Sequence, residues 1–141
     1  MKRQNGKSHA DQARAWLATW GPALLWMGLI FLLSSRPTLP ELDDPGWDLL
    51  LKKAGHFVVF DVLAWLYARA LHRDVPFTSK KLWLAWGMAV LYAVTDEVHQ
   101  GFVPGRNPRL TDLLIDAAGA ATSLLLASVG RGSLLGGSTL R

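Results

Sequence analysis

Side chains able to bind anions or move protons crowd into one short segment of the chain. The run 96–106, DEVHQGFVPGR, holds two carboxylates, an imidazole, an amide and a guanidinium within eleven positions. A histidine and a carboxylate can exchange a proton with a substrate. A guanidinium can hold a carboxylate or phosphate through two parallel hydrogen bonds. The segment therefore contains the parts of an anion-binding site or of an acid–base catalyst.

Helical spacing decides which of these side chains can share a face. Asp96 and Gln100 are four positions apart, and so are Asp112 and Asp116, so each pair lies on one face of a helix. Asp96 and Glu97 are neighbours whose side chains point about 100° apart on a helix of 3.6 residues per turn. We therefore expect these two carboxylates to serve different roles.

Four apolar blocks must position these residues. They cover residues 16–33, 54–71, 82–102 and 110–129, and hydrophobic residues make up 50% of the chain. About 20 apolar residues in a helix cross a hydrocarbon core of roughly 30 Å. The blocks predict an all-α fold, a bundle of four transmembrane helices. We expect a basic tail at 1–15, a membrane domain at 16–129 and a flexible tail at 130–141.

The composition excludes several classes of function. The chain has no cysteine, which rules out disulfides, thiolate metal sites and cysteine nucleophiles. The first block could be a cleaved signal peptide, but its 18 uncharged positions exceed the usual apolar stretch, so we predict a retained helix. We expect no cofactor.

The basic residues predict how the helices are oriented. Ten of the 15 Lys and Arg residues fall in the two tails, at the end of the second block or between the second and third blocks, and five fall on the opposite side. The positive-inside rule then places both termini in the cytoplasm. Because the excess of Lys and Arg that gives the net charge of +4 serves to orient the chain in the membrane, we expect no nucleic-acid partner.

This topology brings the polar ends of all four spans to the outer boundary. The candidate catalytic or binding residues there are His56, Glu97, Gln100, Arg106 and Asp116, with Ser35, Lys53, Asp96, His99 and Asp112 in support. Ionisable groups inside membrane spans are usually functional. The alternative is that the same groups form ion pairs that only hold the bundle together.

The order of motifs resembles the VanZ-like family of small bacterial membrane proteins. The resemblance covers about residues 32–125, four-fifths of the chain. Its pieces are Ser34-Ser35-x-Pro37, Lys53-x-x-His56-Phe57, the run 96–106 and Asp112-x-x-x-Asp116-x-x-Gly119. It implies a multi-pass protein of the bacterial cytoplasmic membrane and a role in the cell envelope, since the family is named for a member that raises teicoplanin resistance.

Three positions depart from the family's pattern. The family often has an acidic residue at the position of Lys52, Asn at Asp116 and Gly at Ser123. The first departure weakens any acid–lysine pair at 52 and 53. The second argues against Asp116 as an indispensable proton carrier.

Two functions of different class fit the sequence. A non-catalytic protein would bind an anionic lipid headgroup, a polyprenyl phosphate or other cell-wall precursor, or a glycopeptide antibiotic, with Arg106 and Lys53 holding the anion. A membrane enzyme acting on a lipid-linked phosphate or acyl group would use His56 and Glu97 for acid–base steps and Arg106 for charge stabilisation. A metal variant would use His56, Asp96 or Glu97, His99 and Asp116 as ligands, but no known metal-ligand spacing is present. Small residues such as Gly28, Gly87 and Gly119 permit close helix contacts, within one bundle or in a homo-oligomer.

Overall fold

The structure, a computed structural model, describes residues 8–37, 43–73 and 78–135, and for 130–135 the backbone alone. The described residues form four α-helices and no strand. They are α1 (His9–Ser34), α2 (Pro45–Leu71), α3 (Ser79–Gln100) and α4 (Leu110–Leu135). The all-α prediction is confirmed.

Local signals explain why α1 and α2 begin before their apolar blocks. Ser8 and Asp11 form a capping box that starts α1 seven residues before the apolar block, so residues 9–15 of the expected tail are helical. The Asp44 side chain accepts from the backbone N–H groups of Gly46 and Trp47, and Pro45 stands at the first helical position. This cap begins α2 nine residues before its apolar block. α4 also continues past 129, through Leu135.

The core runs along α2, which packs against all three other helices and most extensively against α4. Phe60, Leu63 and Ala64 of α2 are almost fully buried. On α3 the buried residues are Ala85, Ala89 and Ala93, and this stripe at four-residue spacing continues into buried Asp96 and Gln100. The inward face of α3 therefore changes from apolar to polar at one end of the bundle.

Side-chain donors fasten the helices to one another. The indole of Trp26 on α1 donates to the carbonyl of Val59 on α2, at 2.9 Å, and that of Trp86 on α3 donates to Ala117 on α4, at 3.1 Å. The Tyr92 hydroxyl donates to the carbonyl of Met27, at 2.7 Å, and joins α3 to α1. Each bond satisfies a polar group inside the bundle.

The outer surface of the bundle is strongly apolar. Two helices, His9–Ser34 and Leu110–Val129, have the length and composition needed to cross a membrane. Large apolar side chains point outward on every helix, among them Leu25, Trp65, Leu91 and Leu125. Exposed apolar surface of this extent marks contact with lipid or another apolar partner.

Candidate functional site

The α1–α3 junction surrounds one buried carboxylate with neutral donors. Oδ2 of Asp96 accepts from the Ser34 hydroxyl at 2.9 Å and from the Gln100 amide at 2.8 Å. All three residues are buried. Ser35 Oγ lies 2.9 Å from Nε2 of His99, whose ring stacks on Phe31. We define this set of contacts between the ends of α1 and α3 as the junction.

The α2–α4 contact is an ionic seam between two parallel helices. Nζ of Lys53 donates to Oδ1 of Asp112 at 3.0 Å, and Nδ1 of His56 lies 3.1 Å from Oδ1 of Asp116. The Asp116 side chain is only 1% exposed, whereas that of His56 is 20% exposed. Because a carboxylate oxygen accepts, this contact assigns the ring proton to Nδ1 and leaves Nε2 able to accept another.

A glycine allows the seam to close. A Cβ atom at Gly119 would overlap the carbonyl oxygen of Phe57 and lie 2.9 Å from its carbonyl carbon. Helices approach this closely only where one of them lacks a side chain. A Cβ atom at Gly28 or Gly87 would meet no neighbour within 4 Å, so of the three glycines expected at helix contacts only Gly119 makes one within the described chain.

The segment between α3 and α4 folds back over the end of α1. Nε and Nη2 of Arg106 donate to the carbonyls of Arg36 and Leu33, at 3.1 and 3.2 Å. Gly105 has φ +82°, in the left-handed region, and a side chain there would also press on the carbonyl of Pro37. Arg106 therefore caps the carbonyl end of α1 with two of its donors.

The predicted catalytic carboxylate Glu97 does not contact His56 directly, although it lies within electrostatic reach of His56. It accepts a hydrogen bond from the backbone N–H of Arg109, and it is not among the residues that line the two cavities at this end of the bundle. The carboxylate that contacts His56 is Asp116. The structure thus brings His56, Gln100, Arg106 and Asp116 towards one region and places Glu97 on the loop side.

Two adjoining cavities open among these side chains. A cavity of about 570 Å³ is polar, and its charged lining comprises Asp48, Lys52, Lys53, Arg106, Arg109 and Asp112. A second, of about 410 Å³, is mostly apolar and is lined by residues including Ile30, Leu33, Leu51, Val59 and Phe60. Asp48, Lys52, His56, Gln100 and Arg106 line both. We call the pair of cavities the cleft.

The cleft carries an excess of positive charge. In the polar cavity four lining side chains are Lys or Arg and two are Asp, before His56 is counted. Across the residues that the structure describes, no three His, Asp or Glu side chains are grouped so that they could hold a metal ion. The arrangement suits an anionic ligand whose other end is apolar.

Most of the chain matches one known protein family. The family model described as VanZ/LLP1 matches residues 16–131, more than four-fifths of the chain. The chain belongs to the VanZ/LLP1 family. Searches of curated proteins and of solved structures found no match. Family membership together with two membrane-length apolar helices supports a membrane protein.

Two residues that line the cleft of this VanZ/LLP1 chain, Asp48 and Lys52, were not among the predicted site residues. Nζ of Lys52 lies 2.7 Å from Oδ2 of Asp48, one turn earlier on α2, and both residues line both cavities. Their i,i+4 spacing and the Asp44 cap could have revealed this pair. Lys52, which stands where the family often has an acidic residue, thus contacts Asp48, and Lys53 contacts Asp112. Ser35 and His99 contact each other but do not line the cleft.

Proposed function

We propose that the cleft binds an anionic amphiphile, a lipid or polyprenyl phosphate with its charged head in the polar cavity and its chain in the apolar cavity. The protein would span the bacterial cytoplasmic membrane four times with both termini in the cytoplasm. The cleft would then lie at the outer face. One observation carries the proposal: the polar and apolar cavities share five lining residues, so a single ligand can occupy both.

The charge balance supports an anionic head. Lys52 and Lys53 each contact one aspartate, Asp48 and Asp112, at 2.7 and 3.0 Å, and an ammonium group has further N–H groups to donate, whereas Arg106 and Arg109 have no carboxylate contact among the described ion pairs. With four Lys or Arg and two Asp in its lining, the polar cavity keeps two positive charges in excess to compensate a phosphate, and both Lys52 and Arg106 can donate to it. Arg is suited to this because its planar donors match phosphate oxygens.

The exposed side chains support four spans. Val58 and Trp65 on α2 and Leu84 and Leu91 on α3 are each at least half exposed, although these helices carry more ionisable residues than α1. The charged residues of α2 and α3 lie mainly near helix ends or inside the bundle, where they need not face lipid. A reporter fused after Arg141 should be active only in the cytoplasm; activity on the outside would contradict this orientation.

Lipid binding can be measured on the purified protein in neutral detergent by native mass spectrometry. We expect undecaprenyl phosphate and phosphatidylglycerol to bind at least about tenfold more tightly than zwitterionic phosphatidylcholine. Lys52→Gln and Arg106→Gln should each weaken anionic binding about tenfold, the effect of one charge-assisted hydrogen bond. Lys80→Gln, an equal charge change on exposed α3 residue 80 at the opposite end, is the matched control. Equal affinity for all three lipids would overturn the proposal.

A second candidate, a membrane enzyme, is favoured by the His56–Asp116 pair. A buried carboxylate on Nδ1 orients an imidazole and lets Nε2 act as a base, as in other His–Asp pairs. His56 lines both cavities, so it could reach a lipid-linked phosphate or acyl group. If the protein is such an enzyme, His56→Gln abolishes the formation of product from the lipid-linked substrate and leaves lipid binding intact. Binding without turnover by the unaltered protein would eliminate it.

We also propose that binding at the cleft contributes to glycopeptide resistance in the cell. If the cleft binds a lipid-linked cell-wall precursor, or the antibiotic itself, less antibiotic reaches its target. Expression of the chain in a susceptible host should raise the inhibitory concentration of teicoplanin, and Lys52→Gln should reduce that gain. An unchanged inhibitory concentration would contradict this role and leave lipid binding to be judged by the affinity measurement.

A further inference from the structure

A carboxyl group in the middle of α2 takes no part in the cleft. Asp61 lies five residues after His56, about 7.5 Å further along the helix axis. Its Oδ1 atom is buried, and within the described part of the chain no group hydrogen-bonds to it. An unpaired carboxylate oxygen away from water is costly, so such atoms normally have a partner.

A separate cavity of about 370 Å³ adjoins this carboxyl. Its lining joins two turns of α2, with Asp61, Val62 and Trp65, to two turns of α4, with Ser123, Leu126 and Ala127. It shares no lining residue with the cleft. Asp61 and Trp65 are i,i+4 and share a face of α2, and Trp65 is half exposed on the outer surface of the bundle. The cavity is therefore reached from the side of the bundle.

The chemistry of this lining selects one class of ligand. The Asp61 carboxylate can accept a hydrogen bond and is the only acidic group in the cavity lining. Ser123 Oγ donates to the carbonyl of Ala120 at 3.4 Å, so its lone pairs are the second acceptor. The Trp65 indole offers a π face, which attracts cations, and Leu126 and Val62 offer apolar contact. Two acceptors, one acidic group and an aromatic face fit an ammonium group with a hydrophobic tail.

We infer that the cavity between α2 and α4 is a second binding site, lined by Asp61, Ser123 and Trp65, which takes a lipophilic amine. The ammonium N–H donates to the Asp61 carboxylate, and the hydrocarbon part packs on Trp65 and Leu126. The site is distinct from the cleft in position and opposite to it in the charge it selects. It therefore stands whether or not the cleft binds an anionic lipid.

The test compares two soluble probes of nearly the same shape, the 2-phenylethylammonium ion and neutral 2-phenylethanol. The protein is labelled with 5-fluorotryptophan, and the ¹⁹F resonance of Trp65 is assigned by its loss in Trp65→Phe. Saturable shifts of this resonance report binding. We expect the ammonium probe to bind at least about tenfold more tightly than the alcohol, because only it adds a charge-assisted hydrogen bond.

Asp61→Asn should remove that preference by weakening ammonium binding about tenfold, while anionic lipid binding at the cleft is unchanged. Asp43→Asn, the same change at an exposed residue before α2, is the matched control and should leave the affinity as it is. Equal affinity of the two probes for the unaltered protein overturns the inference, even if Asp61→Asn does not fold. A Trp65 resonance that shifts with protein concentration and ignores both probes also overturns it, since a second copy of the chain then covers the cavity.

Discussion

The two halves of the cleft are built on different principles. In the α2–α4 seam, oppositely charged side chains pair across helices that Gly119 allows to touch. In the α1–α3 junction, neutral donors surround a single carboxylate, and a loop arginine holds the carbonyl end of α1. α2 and α4 share the most extensive contact in the fold, and α1 and α3 share the least extensive of the contacts made. We therefore expect the seam to be the more rigid wall of the cleft, and the junction to be the wall that deforms more easily.

This difference predicts a path for the proposed ligand. Ile30, Leu33 and Ser34 of α1 line the apolar cavity opposite α2 residues such as Val59. A chain that entered between α1 and α2 would displace few packed side chains. Entry through the seam would instead require breaking two ion pairs and separating Gly119 from Phe57. We therefore expect the close helix contact at Gly119 to contribute most to stability, the hydrogen bonds of the junction less, and the partly exposed Lys53–Asp112 pair least.

The largest expected effect follows from Gly119→Ala. The added methyl group collides with the backbone carbonyl of Phe57, which cannot rotate away as a side chain can. We expect the free energy of unfolding to fall by about 3 kcal/mol or more, at or above the usual range for overpacking. Thermal unfolding in neutral detergent measures it.

Gly28→Ala is the matched control for that prediction. It makes the same change inside a helix at a site with no neighbour within 4 Å. Its melting temperature should stay the same or rise slightly, since Ala favours helix over Gly. If both variants lose equal stability, the close approach in the seam is not what position 119 provides.

A smaller effect is expected at the junction from Asp96→Ala. The substitution leaves the Ser34 hydroxyl and the Gln100 amide without their acceptor, and we expect a loss of about 2 kcal/mol in unfolding free energy. A double-mutant cycle with Ser34→Ala should return a coupling energy of about 1 kcal/mol. Purely additive losses would mean that this hydrogen bond does not hold α1 to α3.

The smallest effect is expected from Lys53→Gln in the seam. Both side chains of the Lys53–Asp112 pair remain partly exposed, 31% and 21%, so water and salt weaken it. We expect a loss of about 0.5 kcal/mol in low salt that shrinks as ionic strength rises. Equilibrium unfolding at two salt concentrations measures it, and a loss that is large and independent of salt would contradict a solvent-screened pair.

Sequence patterns predicted the helices and the meeting of their polar ends better than the roles of neighbouring residues. Apolar block length predicted four helices but missed the α2 extension, because Asp44 and Pro45 begin that helix by capping. The sequence predicted different roles for Asp96 and Glu97, and it could also have predicted that Asp96 is the buried one, since the stripe Ala85–Ala89–Ala93 continues at helical spacing into Asp96 and Gln100.

The contacts of Arg106 could not have been predicted in the same way. They depend on the left-handed conformation of Gly105 and on where the loop meets Pro37, which is distant in sequence. Helical periodicity carries no information about a loop. For the same reason, the choice of Asp116 over Glu97 as the partner of His56 depends on which face α4 turns to α2, and Gly119 fixes that face only once the helices pack.

The central claim is that a phosphate-bearing head sits in the polar cavity beside Lys52 and Arg106. Solid-state NMR can measure it through the dipolar coupling between lipid ³¹P and side-chain ¹⁵N in phosphatidylglycerol bilayers. We predict ³¹P dephasing of the Arg106 guanidinium and Lys52 ammonium signals at contact distance, about 4 Å between phosphorus and a nitrogen hydrogen-bonded to a phosphate oxygen. These couplings should persist when phosphatidylcholine dilutes the anionic lipid, whereas that of Lys80 should fade. Dephasing at residues 52 and 106 no stronger than at Lys80 would contradict the proposed function.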